Sequence, residues 1–374
     1  MGRMFALADD LTGAAETAAA LMSPARPARI ALSGVPEGDA PVFVADLDCR
    51  HHPRAYDLVR EALLHSGDRR VFVKVDSLLR GDVAATVAAC LDAPVVFAPA
   101  LPSAGRTVVG GVPYIEGVPL RETRAWRAEP RPAPASVAEA LGDVPWVHAP
   151  PGADLAEVAA AGQVAVCDAE TDADLDAIVA AALRCSPRTR LVGSGGLATA
   201  LGPALGGNPG RCAAPRGNGR LLVVVGTAEP GAAEQVGSLI GHGFSNVALD
   251  AEDLGATGPA PPTAARLVRD ALAAGPAVLT VRGPAPPTLT RTLGEIVREA
   301  LGGLPADLVL TGGETARKVL DALGVRELIP LDQVHHGAVH SRTPQGHSVV
   351  TRPGSFGDAD SLLRMAAHLS DSKG

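Results

Sequence analysis

Short apolar runs alternate along most of the chain with longer Ala- and Leu-rich stretches of helical period. Met4 to Ala8, Ala28 to Leu32, Val42 to Ala45, Val71 to Val75 and Val95 to Ala98 have the length and boundaries of buried strands. Gly13 to Leu21, Arg54 to His65, Val83 to Leu91 and Asp172 to Leu183 carry the spacing of helices. Strands alternating with helices predict a mainly parallel sheet covered on its faces. The pattern breaks at Gly202 to Gly219, which is crowded with Gly and Pro, and restarts at the strong strand Leu221 to Val225. A second series follows, with strands near Asn246 to Leu249, Ala277 to Val281 and Asp307 to Leu310. Its helices are near Ala232 to Ile240, Thr263 to Ala273, Thr288 to Leu301 and Thr315 to Leu323. Pro259 to Pro262 and Pro284 to Pro287 read as loop-to-helix entries, since Pro suits the first helical turn. The expected fold class is α/β, in two domains, each a mainly parallel sheet flanked by helices, with an interdomain cleft. The expected boundaries are 1–205, a linker 206–219, and 220–374.

Composition narrows the function more than the fold. A chain of 374 residues exceeds what one core usually fills, in keeping with two domains. Aromatic residues are 3% of the chain, so the cores must be built from small aliphatic side chains. A net charge of −8 without any Lys/Arg-rich run argues against nucleic acid and for a small-molecule partner. The five cysteines, Cys49, Cys90, Cys167, Cys185 and Cys212, lack C-x-x-C spacing and indicate neither zinc nor a disulfide framework. No segment reaches about 18 uninterrupted apolar residues, and Met1 to Leu11 is no signal sequence, so no membrane and a cytoplasmic location are expected. The ten histidines stand alone or in pairs such as His51-His52 and His335-His336, without metal-ligand spacing, and read as surface or loop residues. No metal ligand can be named.

Polar residues at strand exits carry the chemistry. Phe5 to Glu16 (FALADDLTGAAE) delivers Asp9 and Asp10 to the carboxyl end of the first strand, the edge where open α/β sheets bind ligands. A carboxylate there could take the proton of a substrate hydroxyl, or could instead cap the following helix, although two adjacent Asp residues cannot both cap it. Val71 to Asp82 (VFVKVDSLLRGD) brings Lys74, Asp76, Ser77, Arg80 and Gly81 to another exit. Arg80 can grip a planar anion with two parallel hydrogen bonds and Lys74 adds a point charge, unless Lys74 pairs internally with Asp76 or Asp9. The long loop Pro99 to Thr123 offers Gly105 for close backbone approach and Arg106 as a second cation, while its distal part, Val112 to Val118, reads as a β-hairpin. Ser194 in GSGGLA falls outside the G-x-S-x-G pattern and reads as part of a strand-to-helix turn.

The second half repeats the strand, glycine, helix layout at Gly226-Thr227, at Thr311-Gly312-Gly313-Glu314-Thr315, and at Arg352 to Gly354. Backbone N–H groups at such helix starts can meet phosphate, although no G-K-[ST] closes a Walker loop. Glu314 could hold a ribose hydroxyl or, through water, Mg²⁺. Tight strand-to-helix turns would leave the same pattern.

In order along the chain, ADDLTGA, KVDSLLRG, AGR, GSGGLA, GGETA and RPGSFG resemble the four-carbon acid sugar kinase family over nearly the whole length. The resemblance implies an N-terminal substrate domain, a C-terminal nucleotide domain, and ATP-dependent phosphorylation of a tetronic acid. It implies that Asp9, Asp10, Lys74, Asp76, Ser77 and Arg80 face the sugar acid and that Thr227, Gly312, Gly313, Glu314 and Gly354 face ATP. Asp10 or Asp9 would then deprotonate the acceptor hydroxyl, Arg80 and Lys74 would hold the carboxylate, and Mg²⁺ with the glycine loops would place the γ-phosphate. The sequence departs from the family pattern at Thr227-Ala228-Glu229, at Arg352 in place of Lys, at Leu78 in place of Thr, and at Glu129 in place of Asp. A kinase of a related hydroxy acid and a ligand-binding homologue without transfer remain alternatives, and a homodimer stands open as the assembly.

Overall fold

The computed structural model describes residues 3–32, 40–126, 129–160, 163–207, 217–226, 230–254, 262–283, 288–354 and 356–371. The chain divides into two compact units, Met1–Pro209 and Gly210–Gly374.

The first unit holds β1 (Met4–Ala8), β2 (Ala28–Ala31), β3 (Val42–Asp46), β4 (Arg70–Lys74) and β5 (Val95–Ala98). It continues with β6 (Arg106–Val109), β7 (Val112–Ile115), β8 (Val118–Pro119), β9 (Trp146–Ala149), β10 (Val164–Cys167) and β11 (Arg190–Gly193). Eight of these form a parallel sheet in the order β2-β3-β1-β4-β11-β5-β10-β9. Its central strands are buried on both faces, which is why they read as unbroken apolar runs rather than alternating ones. β6, β7 and β8 form a separate antiparallel sheet, with the expected hairpin between β7 and β8.

The second unit holds β12 (Leu221–Val225), β13 (Ser245–Asp250), β14 (Ala277–Arg282), β15 (Asp307–Thr311), β16 (Glu327–His335), β17 (Ala338–Arg342) and β18 (Ser348–Arg352). Their order is β13-β14-β12-β15-β18-β17-β16, parallel through β18 and antiparallel at the last two.

The two units repeat one plan. In each, the first strand of the unit sits third in the run second-third-first-fourth, β2-β3-β1-β4 in one and β13-β14-β12-β15 in the other. The chain leaves the first strand toward one side of the sheet and resumes on the other with the fourth. The exits of first and fourth strands therefore flank the point where winding reverses, and connections diverging there open a crevice at the carboxyl edge. In the first unit those exits carry Asp9-Asp10 and Lys74. In the second they carry Gly226 and Gly312.

The description of the histidines as surface residues needs correction. His340 on β17 and His347 are buried, and His340 is closed off entirely. The interrupted, mostly polar run around them hid the antiparallel strands β16, β17 and β18, of which β16 buries alternate side chains and β17 and β18 are buried nearly throughout.

Candidate active site

Asp9 and Asp10 follow β1 directly. Asp10 is the N-cap of the helix Leu11–Leu21: its Oδ1 accepts from the Gly13 N–H at 2.9 Å and its Oδ2 from the Thr12 hydroxyl at 2.6 Å. Capping therefore holds for Asp10 alone, leaving Asp9 for another partner. That partner is Arg50, which the sequence did not single out. After β3 the chain crosses the β1 exit, with the N–H groups of Cys49 and Arg50 donating to the Asp9 carbonyl. This brings Arg50 Nε to 2.7 Å and Nη2 to 2.9 Å from the two Asp9 carboxylate oxygens, while Nη2 also lies 2.9 Å from Asp10 Oδ1.

The two adjacent carboxyls are driven apart in acidity. Burial raises Asp9 above its ordinary value, against the pull of Arg50. Asp10 feels burial too, but Arg50, Lys74, the Thr12 hydroxyl and the Gly13 N–H outweigh it and hold the carboxyl low. Arg50, although desolvated, is kept charged by Asp10, Asp9 and Asp76.

Lys74 ends β4, level with Ala8 of β1. Its ammonium lies 3.5 Å from Glu16 of the first helix and donates to the Val75 carbonyl, so the internal pairing expected with Asp76 or Asp9 is made with Glu16 instead. A Cβ on Gly13 would stand 2.7 Å from Asp10 Oδ1 and 3.1 Å from Lys74 Nζ, which is why this helix turn has no side chain. Glu16 in turn occupies the space a side chain on Gly195 would need, where the helix Gly195–Ala204 begins. Ser194 is the N-cap of that helix, the turn expected for it.

Beyond β4 the loop wraps around Asp76. Its Oδ2 accepts from the N–H groups of Leu78 and Arg80, and the Arg80 guanidinium closes on both carboxylate oxygens at 2.8 Å. Burial works against the Asp76 charge, but Arg80, Arg50 and Arg106 hold the carboxyl well below the usual range. The two parallel bonds expected from Arg80 to a substrate anion are thus made within the protein, to Asp76. Gly81, at φ 80, sits against the Arg50 backbone, where a Cβ would collide with the carbonyl; the Asp82 N–H donates to that same carbonyl at 3.1 Å. Arg106 reaches the loop from β6, donating to Ser77 Oγ at 2.6 Å.

The structure therefore brings Asp9, Asp10, Lys74, Asp76, Ser77, Arg80, Gly81 and Arg106 to one edge of the first unit. Arg50 and Glu16 join them. The missing signal for Arg50 is a strand exit of the same kind, Asp46 to Arg50, directly after the apolar run Val42 to Ala45.

In the second unit, Gly226 follows β12 and Thr311-Gly312 ends β15, with Val225 and Thr311 level across the strand pair. Gly312, at φ 89, starts the helix Gly313–Ala322 without a side-chain cap, so the opening N–H groups have no side-chain partner there. Thr311 is buried and its hydroxyl has no hydrogen-bond partner among the described residues. Thr315 is buried against the position a Cβ on Gly226 would take. Glu314 is exposed and accepts from the Thr290 hydroxyl at 2.9 Å. The Gly312 N–H donates to the Arg352 carbonyl, which ties the β15 exit to that of β18, two residues before Gly354.

Arg352 itself is 1% exposed, donates to Ser361 Oγ at 2.7 Å and Gln235 Oε1 at 3.0 Å, and is pulled down to about 10 by burial. Thr227, Ala228 and Glu229, like most of the 206–219 segment, Pro259 to Pro261 and Pro284 to Pro287, lie outside the described residues, while Pro262 opens the helix Pro262–Ala274.

An uncapped helix start, a glycine turn and a partnerless buried hydroxyl at one strand exit fit a phosphate-bearing ligand. Among the described residues, no group of three or more His, Cys, Asp and Glu is placed to hold a metal ion. No helix among them is long and apolar enough to cross a membrane.

Comparison with known proteins separates the two units in the same sense. A sugar-binding N-terminal domain model matches residues 4–201, and a nucleotide-binding C-terminal domain model matches residues 222–362. A D-threonate kinase of Cupriavidus necator is 32% identical over 98% of both chains. One of Bordetella bronchiseptica is 32% identical over 96% of both. A crystal structure of a Haemophilus influenzae protein, 20% identical, shares the fold over 98% of this chain and 100% of its own, at a TM-score of 0.72. The protein is a phosphotransferase that acts on a sugar-acid hydroxyl. The chain belongs to the four-carbon acid sugar kinase family.

Proposed function

We propose that the protein transfers the γ-phosphoryl group of ATP to a hydroxyl of a four-carbon sugar acid of the threonate type, in the cytoplasm. The observation that carries this reading is the convergence of the Asp10 carboxylate and the Lys74 ammonium on the bare backbone of Gly13. A carboxylate and an ammonium held side by side suit a ligand that carries both a hydroxyl and an anionic group. The relatives' name, D-threonate kinase, supports the same substrate class.

In this reading Asp10 orients the acceptor hydroxyl and receives its proton, because it is the more exposed of the two carboxylates, while Asp9 is clamped by Arg50. Lys74 supplies positive charge for the substrate carboxylate, and Arg80 and Arg106 line the neighbouring wall. In the second unit, Gly226, Thr311, Gly312, Gly313, Thr315 and Gly354 receive the nucleotide, and we extend the same role to Thr227. Mg²⁺ is usually held by nucleotide phosphates, waters and one or two carboxylates, and Glu314 would supply one such carboxylate. Phosphoryl transfer depends mainly on such positioning and charge neutralisation.

The test is a coupled ADP-release assay over three- to five-carbon hydroxy acids, with ATP and GTP in parallel. Turnover highest with a tetronate and ATP is expected. Turnover highest with a three- or five-carbon acid would move the protein to a related hydroxy acid. Nucleotide-dependent thermal stabilisation without any turnover would make it a binding protein.

A further inference from the structure

The loop from Asp76 to Gly81 is held from outside as well as by its own carboxylate. Trp126 Nε1 donates to the Leu78 carbonyl at 3.0 Å, and Arg131 Nη2 donates to the Gly81 carbonyl at 3.0 Å. Between those carbonyls lie Leu79, at φ 62, and Arg80, whose N–H and guanidinium are both committed to Asp76. A left-handed leucine persists only where its surroundings over-determine it. The surroundings here are a small core of Leu78, Leu120 and Trp126, with Ile115 and Ala133 packed against it. Arg131 is exposed as a residue, yet its guanidinium reaches back to a loop carbonyl.

We propose that Trp126 and Arg131 are positioning residues that brace the Leu78–Gly81 loop and thereby fix the Arg80 guanidinium at the sugar-acid site. The consequence for catalysis rests on the sugar-acid reading of this edge, whereas the bracing itself does not. Because the two donors grip carbonyls on either side of Arg80, loss of either lets the left-handed turn relax and the guanidinium swing while Asp76 stays in place. A brace of this kind changes sugar-acid binding and leaves the nucleotide side untouched.

The experiment uses the full chain with Trp126→Phe, which keeps an apolar ring and removes the N–H, and with Arg131→Gln and Arg131→Lys. Steady-state kinetics with D-threonate and ATP are combined with amide hydrogen exchange over residues 76–82. Losing one hydrogen bond of ordinary strength should raise the sugar-acid KM about three- to tenfold. The KM for ATP should stay within about twofold, exchange at the Leu78 and Arg80 amides should quicken, and Arg131→Lys should recover part of the loss. An unchanged sugar-acid KM in folded Trp126→Phe and Arg131→Gln proteins overturns the proposal. So does an equal rise in both KM values with a lowered Tm, which marks a merely structural contact. If the wild-type protein turns over no sugar acid, the functional reading fails by itself, and exchange alone decides the brace: faster in the variants supports it, unchanged overturns it.

Discussion

Arg50 lays its guanidinium along Asp9, with Nε and Nη2 at 2.7 and 2.9 Å from the two carboxylate oxygens, and shares Nη2 with Asp10 at 2.9 Å. One cation thus serves two adjacent carboxylates at the exit of β1. Gly81 adds to this arrangement from the far side, because only a residue without Cβ fits at φ 80 against the Arg50 carbonyl.

Removing that cation leaves Asp9 buried without its partner. Arg50→Ala should cost about 3 kcal/mol at pH 7, the scale of an orphaned buried charge. The gap from wild type should narrow toward pH 5, because the Asp9 carboxyl, already raised by burial, then takes up a proton and sheds the unpaired charge. Urea unfolding at both pH values measures this. An equal gap at both would mean that the cost lies in packing.

His340 predicts a second pH dependence, located in the other unit. It is fully buried, with Nε2 2.7 Å from Ser348 Oγ and Nδ1 3.1 Å from His368 Nε2, and burial, followed by His368, lowers it from 6.5 to about 4. The unfolded chain therefore binds a proton between those pH values that the folded chain refuses. Stability falls as pH drops through this window, by about 3 kcal/mol over the full span. His340→Gln should flatten the acid side of a Tm-against-pH curve. A curve of unchanged slope would place the loss elsewhere.

The sequence was most legible where one physical signal dominated. Continuous apolar runs announced β1, β3, β4, β12 and β15 because a parallel sheet is buried on both faces. The polar residues at the ends of β1 and β4 then marked the edge where Asp9, Asp10, Lys74, Asp76 and Arg80 meet. Pairing was illegible, because it depends on which loops cross which exits: Arg50 reaches Asp9 only because β3 neighbours β1. Lys74 pairs with Glu16 because a helix turn without a side chain brings them together, and nothing in local spacing favours Glu16 over Asp76. The β16-β17-β18 segment was missed for a different reason: its strands mix polar residues into their apolar runs, and β17 and β18 bury His340, Ser341, Thr351 and Arg352.

Thr311 separates a structural hydroxyl from a functional one. Its Oγ1 is buried without a partner among the described residues, so Thr311→Val removes a polar group that gains no hydrogen bond from them. Stability should stay within about 1 kcal/mol of wild type or improve, while the KM for ATP rises severalfold if the hydroxyl serves the nucleotide. Thermal unfolding and initial-rate kinetics on one preparation distinguish the outcomes. Unchanged stability with an unchanged KM would leave the hydroxyl without a role in nucleotide binding.

Asp10 is the residue on which the proposed chemistry turns, and it also caps a helix, so the substitution must separate these roles. Asn caps about as well as Asp, and in Asp10→Asn the amide oxygen can keep the bond from the Gly13 N–H. The negative charge and the ability to take a proton are lost, and with them the charge pairing with Arg50 and one acceptor for the Thr12 hydroxyl, while Arg50 keeps its two bonds to Asp9. The expected result is a kcat lowered by about 10² to 10⁴, the usual contribution of a positioned base, with Tm and the KM for ATP little changed. Asp9→Asn should behave differently, because it disrupts the fork with Arg50 and so perturbs stability along with rate. If Asp10→Asn keeps full turnover while Asp9→Asn abolishes it without unfolding the protein, the base is Asp9, and its raised carboxyl rather than its neighbour's exposure is what the reaction uses.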